Sequence, residues 1–301
     1  MRPQVKDELM PFFKTLKISL VAAIGFATGS AAALAQAPAA VAPAAPEGPT
    51  YADLATLSDA ADLVIRVQIR RQTVLKPDRA PGLATGFARL YIEAQTVALI
   101  AGRAGVGASL VYLVDVPLDP KGKVPKLKNR EMLLFADSVP GRPAEVRLVN
   151  PSAQLAYTPA LEAQVRPILT ELFAADGPPR ITGISDALAV TGTLAGESET
   201  QIFLSTDSGA PVSLTILRRP RQPVQWGVSW GEIIDSAARP PAKDTLRWYR
   251  LACSLPPQLP SGANLARESA ERRLAAGDYA FVRDALGPCS RRITQPRAAG
   301  S

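Results

Sequence analysis

The chain has 301 residues, 34 of them basic and 27 acidic, for a net charge of +7, and it contains no histidine. Without imidazole there is no Ser-His-Asp or Cys-His nucleophile system and no histidine metal ligand. Two cysteines fall short of a tetrahedral zinc or iron–sulfur set, so neither a metal nor a cofactor is expected.

Lys14 and Lys17 precede an apolar run, Ile18 to Phe26, which passes through Ala27-Thr28-Gly29-Ser30 into Ala31 to Ala35. That order is the basic, apolar and small-residue plan of a secretory signal peptide. Ala33 and Ala35 offer small side chains at the −3 and −1 positions, so cleavage is expected after Ala35; a cut after Ala37 would place Pro38 beside the scissile bond. Asp7 and Glu8 are out of character in a basic leader, which makes Met10 the expected initiator. The run barely reaches the ~20 apolar residues of a spanning helix, and nothing later approaches one. The mature chain is therefore expected to be periplasmic or secreted, with no transmembrane segment. Its 266 residues carry a net charge of +5, too small an excess to argue for a nucleic-acid partner.

Residues 36–50 read as a Pro/Ala tether with Pro38, Pro43, Pro46 and Pro49. A short helix is predicted from Asp53 to Ala61, then a strand from Leu63 to Val74. Arg89 to Leu99 alternates, with Leu90, Ile92, Ala94 and Thr96 opposite Tyr91, Glu93 and Gln95. Strands follow at Ser109 to Val116, Glu131 to Ala136 and Glu145 to Val149, each bounded by Pro or Gly.

A helix is predicted from Pro159 to about Ala175, because Leu161, Val165, Ile168, Leu169, Leu172 and Phe173 form one apolar stripe. Thr158 caps it, and Pro167 should kink it. Gln201 to Thr206 and Val212 to Leu217 flank the hairpin turn Asp207-Ser208-Gly209-Ala210, and a strand from Val224 to Ile234 comes next. Helices are predicted near Thr245 to Leu255, Ala263 to Ala275 and Tyr279 to Leu286. In an oxidising compartment Cys253 and Cys289 read as one disulfide, since the close C-x-x-C spacing of a redox pair is absent.

The first β-unit resembles the netrin-like, tissue-inhibitor-type version of the OB-fold. The resemblance rests on Ala61-Asp62-Leu63-Val64-Ile65-Arg66-Val67 after a short helix, then Arg89-Leu90-Tyr91-Ile92-Glu93-Ala94, then Arg130-Glu131-Met132-Leu133-Leu134-Phe135. It covers about 100 of the mature residues. Asn129 stands where such domains often have glycine, and the amino-terminal cysteine with which inhibitors of this type grip zinc is missing. The resemblance implies a barrel and does not imply metalloproteinase inhibition. The expected fold is α+β and β-rich: an OB-like antiparallel barrel over 51–158, a connecting helix over 159–177, and a mixed region over 178–301. That last region holds a second small antiparallel sheet, C-terminal helices and one disulfide.

Gly227-Val228-Ser229-Trp230-Gly231 matches the G-x-S-x-G nucleophile elbow, but it lies within a predicted strand and no histidine exists to serve it. Its glycines read as strand glycines. Trp226 and Trp230 share one strand face with Val228, and Arg218, Arg219 and Arg221 lie on the adjoining loop. Together they could hold an anionic glycan or lipid headgroup; the plainer reading is buried tryptophans beside a solvated hairpin end. Lys121, Lys123, Lys126, Lys128 and Arg130 form the densest basic run, expected as a solvated loop able to meet a polyanion.

Glu93, Asp115, Asp119 and Asp137 are carboxylates that a glycoside hydrolase could pair, though spacing alone assigns no catalytic residue. The expected function is a non-catalytic binding or adaptor module. Its partner would be an anionic envelope glycan, a lipid headgroup or a periplasmic protein. The alternative is a carboxylate-dependent hydrolase of envelope polysaccharide.

Overall fold

The computed structural model describes residues 48–103, 105–151, 153–232 and 238–294. The predicted signal peptide and nearly all of the predicted tether lie outside them. The described residues belong to one compact unit covering 47–301. The described residues form an α+β, β-rich architecture with two antiparallel sheets and four α-helices. Among the described residues no helix is long and apolar enough to cross a membrane.

Helix α1, Tyr51–Ala60, starts with a capping box. The Asp53 N–H donates to Thr50 Oγ1 at 3.1 Å, and the Thr50 N–H donates back to Asp53 Oδ2 at 2.9 Å. The Asp53 carboxylate also accepts from the N–H groups of Arg292, Ile293 and Thr294 and from the Thr294 hydroxyl. The end of the described chain is thereby tied to the start of its first helix. Burial alone would push the Asp53 carboxyl up, but the donors from Thr50, Arg292 and Thr294 pull it down to about 2.

Because that folded value lies below the ordinary 3.8, Asp53 contributes stability that is fully present above the unfolded value. The contribution is lost as pH falls through the folded value. About 2 kcal/mol should therefore disappear between roughly pH 5 and pH 1. Urea midpoints measured across that range should fall for the wild type and much less for Asp53→Asn; parallel curves would contradict the assignment.

Strands β1 (Leu63–Val74), β2 (Phe87–Gly102), β3 (Ser109–Pro117), β4 (Glu131–Ser138), β5 (Val146–Leu148) and β6 (Gln154–Ala156) build the first sheet. Its order is β3-β2-β1-β4-β5, with β6 on the same partner, β4. Alternation decides the faces: Leu90, Ile92 and Ala94 of β2 and Leu110, Tyr112 and Val114 of β3 are buried. Tyr91 and Leu113, directly opposite each other in the ladder, point outward.

The sheet curls until its edges meet. Val111 forms a parallel bridge with Glu145, the Val111 N–H donates to Ala144 O at 2.8 Å, and the Asp115 N–H donates to Pro151 O at 2.7 Å. These links span the seam at two points. No continuous ladder closes a barrel among the described residues.

Helix α2, Pro159–Phe173, is capped by the Thr158 hydroxyl on the Leu161 N–H and buries Leu161, Val165, Ile168 and Leu169. Pro167 lies on its exposed side, where water can satisfy the carbonyl that proline leaves unpaired, so the helix runs on through it.

The second sheet is a meander of β7 (Ile181–Thr191), β8 (Ser198–Thr206), β9 (Val212–Arg218) and β10 (Gln225–Ser229), in the order β10-β9-β8-β7. Helix α3, Leu246–Ala252, packs with α1 and α2, and α4, Ser269–Leu286, lies on β7 and β8. The two helices predicted around Ala263 to Leu286 are thus one α-helix preceded by a short 3-10 turn, Ser261–Ala263. Gly277 does not break it because Gly277 faces solvent, while Ala275, Asp278, Tyr279 and Val282 form the buried stripe. Cys253 and Cys289 are bonded, stapling the end of α3 to the chain beyond α4.

Candidate functional site

A concavity lies along the seam between β3 and β5. Its volume is about 820 Å³, and its walls come from β2, β3, β4, β5 and the chain just beyond. The irregular stretch between β5 and β6 is what makes it. The Val149 N–H donates to Phe135 O and the Phe135 N–H donates to Ala153 O, so Asn150 and Pro151 leave the ladder and arch toward β3. Pro151 there accepts from Asp115, and the arch forms one wall.

Tyr91 and Leu113 lie on the outer face within this cavity and remain 37% and 47% exposed, with Val111, Val139 and Val149 nearby. Polar groups stand at intervals around them. Arg89 grips Asp115 with two hydrogen bonds of 2.7 and 3.0 Å, and Asp115 is only 3% exposed. The Arg89 guanidinium also donates to Pro81 O at 3.1 Å. Arg147 pairs with Asp137 at 3.2 Å, and Glu145 pairs with Arg142 at 3.0 Å. The site therefore joins an apolar strip to fixed charges of both signs, an arrangement suited to holding an amphiphilic or extended ligand.

Of the carboxylates considered for hydrolysis, Asp115 and Asp137 meet at this cavity, joined by Glu145, which spacing did not single out. Glu93 pairs with Arg71, outside the cavity. Asp119 accepts from the backbone N–H groups of Lys121 and Lys123 and organises their loop.

The other candidate residues lie apart. Arg218 binds the buried Asp278 of α4, which also accepts from Thr200, so this guanidinium anchors α4 to the second sheet. Arg219 and Arg221 are exposed on the turn between β9 and β10, and Arg221 has a φ of 60°. Trp226 is half-buried and lines a second cavity of about 490 Å³ with Phe281 and Arg239. Trp230 packs against the core with the Arg247 guanidinium over its ring at 5.8 Å.

Ser229 is buried at the end of β10, and a Cβ on Gly227 would lie 2.1 Å from the Ala238 carbonyl oxygen. Glycine is needed there for the close passage of another backbone segment, which accounts for the G-x-S-x-G pattern without a nucleophile.

Lys121, Lys123, Lys126 and Lys128 are exposed on the loop between β3 and β4. Gln72 pins that loop: its Nε2 donates to Pro125 O at 2.9 Å and its Oε1 accepts from the Leu127 N–H at 2.6 Å. Asn129 ends the loop in the left-handed region, at φ 66°, where asparagine is among the better-tolerated side chains. No group of three or more His, Cys, Asp or Glu side chains placed to hold a metal ion occurs among the described residues. Comparison of the chain with protein-family models and with curated proteins finds no match.

Proposed function

We propose that the chain is an exported, non-catalytic binding module that takes an envelope component into the cavity along the β3–β5 seam. The observation that carries this reading is the cross-strand pair Tyr91 and Leu113, two large apolar side chains held exposed inside a concavity of about 820 Å³. That volume falls in the range of ordinary ligand sites, roughly 300–1,000 Å³. A ligand that covers both side chains removes apolar surface from water, and the flanking ion pairs orient its polar groups.

The strand order and the bridge across the seam support an OB-like, partly open barrel. Export is supported by the leader-like sequence together with the Cys253–Cys289 bond, which belongs in an oxidising compartment. The hydrolase alternative needs two carboxylates free to act, roughly 5–9.5 Å apart. Asp115, Asp137 and Glu145 are each already engaged by an arginine, which favours binding.

The test is affinity capture from native periplasmic and envelope extract with tagged residues 36–301. The wild type should retain a specific component, and Leu113→Glu and Tyr91→Ala should each retain at least about tenfold less while melting like the wild type. Equal retention by both variants, or turnover of envelope polysaccharide by the purified chain, would contradict the reading.

A further inference from the structure

The loops at one end of the first sheet carry a charge excess that the cavity does not use. Residues 75–86 connect β1 to β2, and residues 118–130 connect β3 to β4. They lie side by side: the Leu118 N–H donates to Gly86 O at 2.8 Å, and the Gln72 clamp at the end of β1 holds the second loop. Together they contain Lys76, Arg79, Lys121, Lys123, Lys126, Lys128 and Arg130 against only Asp78 and Asp119. The resulting excess of five positive charges equals the net charge of the whole predicted mature chain. The charges on the rest of the predicted mature chain therefore sum to zero. Every one of the seven basic residues is exposed, and among the described residues none of them takes part in an ion pair.

From this we infer that the basic end of the first sheet docks on an anionic bilayer surface. Three features favour a charged plane over a linear polyanion. Neither loop contains an aromatic residue on which a base or sugar ring could stack. None of the seven basic residues lines either of the two cavities described above, so the charges stand on the open surface of the loops and outside both concavities. Five of the seven are lysines, compact and hydrated point charges suited to diffuse attraction by many headgroups and lacking the directional fork of guanidinium.

The backbone beneath them is fixed by Asp119 and Gln72, so the charges are presented without a large ordering cost on contact. Arg89 and Asp115, at the near limit of the cavity, lie only two residues along their strands from the paired Phe87 and Pro117, where the first loop ends and the second begins. At ~3.3 Å per residue that separation is about 7 Å, which sets the ligand cavity close to the docked surface.

The experiment is co-sedimentation of residues 36–301 with phosphatidylglycerol-containing vesicles and with pure phosphatidylcholine vesicles, at about 50 mM and about 500 mM salt. The wild type should bind the anionic vesicles alone and be released at high salt. The combined variant Lys121→Gln, Lys123→Gln, Lys126→Gln, Lys128→Gln should bind them at least about a hundredfold more weakly, while Arg273→Gln on α4 binds like the wild type. Equal binding by the fourfold variant, or no binding of the wild type to anionic vesicles, would overturn the inference. Retention on heparin without vesicle binding would also overturn it, by assigning the patch to a linear polyanion. Vesicle binding is read without a cavity ligand, so this result stands or falls apart from the capture experiment.

Discussion

Replacing Asp59 with alanine should cost about 3–5 kcal/mol of folding stability, since it strands a buried guanidinium. Asp59 sits in the last turn of α1 and accepts from Arg250 Nη1 at 2.7 Å and Nη2 at 2.9 Å. Arg250, on α3, is only 6% exposed, and its Nε donates to Pro178 O at 3.1 Å. One buried side chain thus ties α1 and α3 to the segment that leads into β7. The second partner of Asp59, Arg180, is half-exposed and returns to water when the carboxylate is removed. Arg250 has no such escape. Asp59→Asn, which keeps an acceptor but not the charge, should lose less. Urea unfolding of the two variants decides it; a loss below about 1 kcal/mol for Asp59→Ala would show that the pair is not coupled to the fold.

Removing the disulfide should have a comparable effect. Cys253 and Cys289 are 36 residues apart, and in the chain-entropy model closing a loop of that length stabilises by roughly 4 kcal/mol. The bond also places the segment that follows against α1. The Thr50 hydroxyl donates to Ser290 O, Arg291 Nε to Thr56 Oγ1, and the N–H groups of residues 292–294 to Asp53. The double variant Cys253→Ser, Cys289→Ser should therefore melt about 10 °C below the wild type, at 2–4 °C per kcal/mol for a domain of this size. Wild type treated with reductant should match it. A difference of less than about 2 °C would show that the helices hold that terminus without the bond.

The first sheet is largely legible in the sequence because β2 and β3 alternate over long runs, β1 and β4 are apolar runs rich in branched side chains, and Pro or Gly bounds them. The range Leu63–Val74 for β1 is the one the pattern predicts. By contrast, no regular alternation marks β7. Two bulges, at Ile181/Gly183 and Ile184/Asp186, shift its register and erase the alternation that marks a strand. The two helices expected over Ala263 to Leu286 are one because the buried stripe continues through Gly277 and carries its propensity cost.

The site was legible only in fragments. Alternation puts Tyr91 on the outer side of β2, but the cavity exists because residues 149–151 arch toward β3, and that contact is long-range. Arg218 looked available for an anion because nothing local shows Asp278, sixty residues later, closing on it. The lysine loop could be read directly, since exposure and charge there are local properties.

Hydrogen–deuterium exchange of residues 36–301, alone and with the component eluted from the capture experiment, tests the binding reading most directly. Backbone amides at Val111–Asp115 and across residues 145–151 should exchange more slowly when the component is present, with little change in β7 to β10. Protection confined to the second sheet, or to the Trp226 cavity, would contradict a ligand site at the β3–β5 seam.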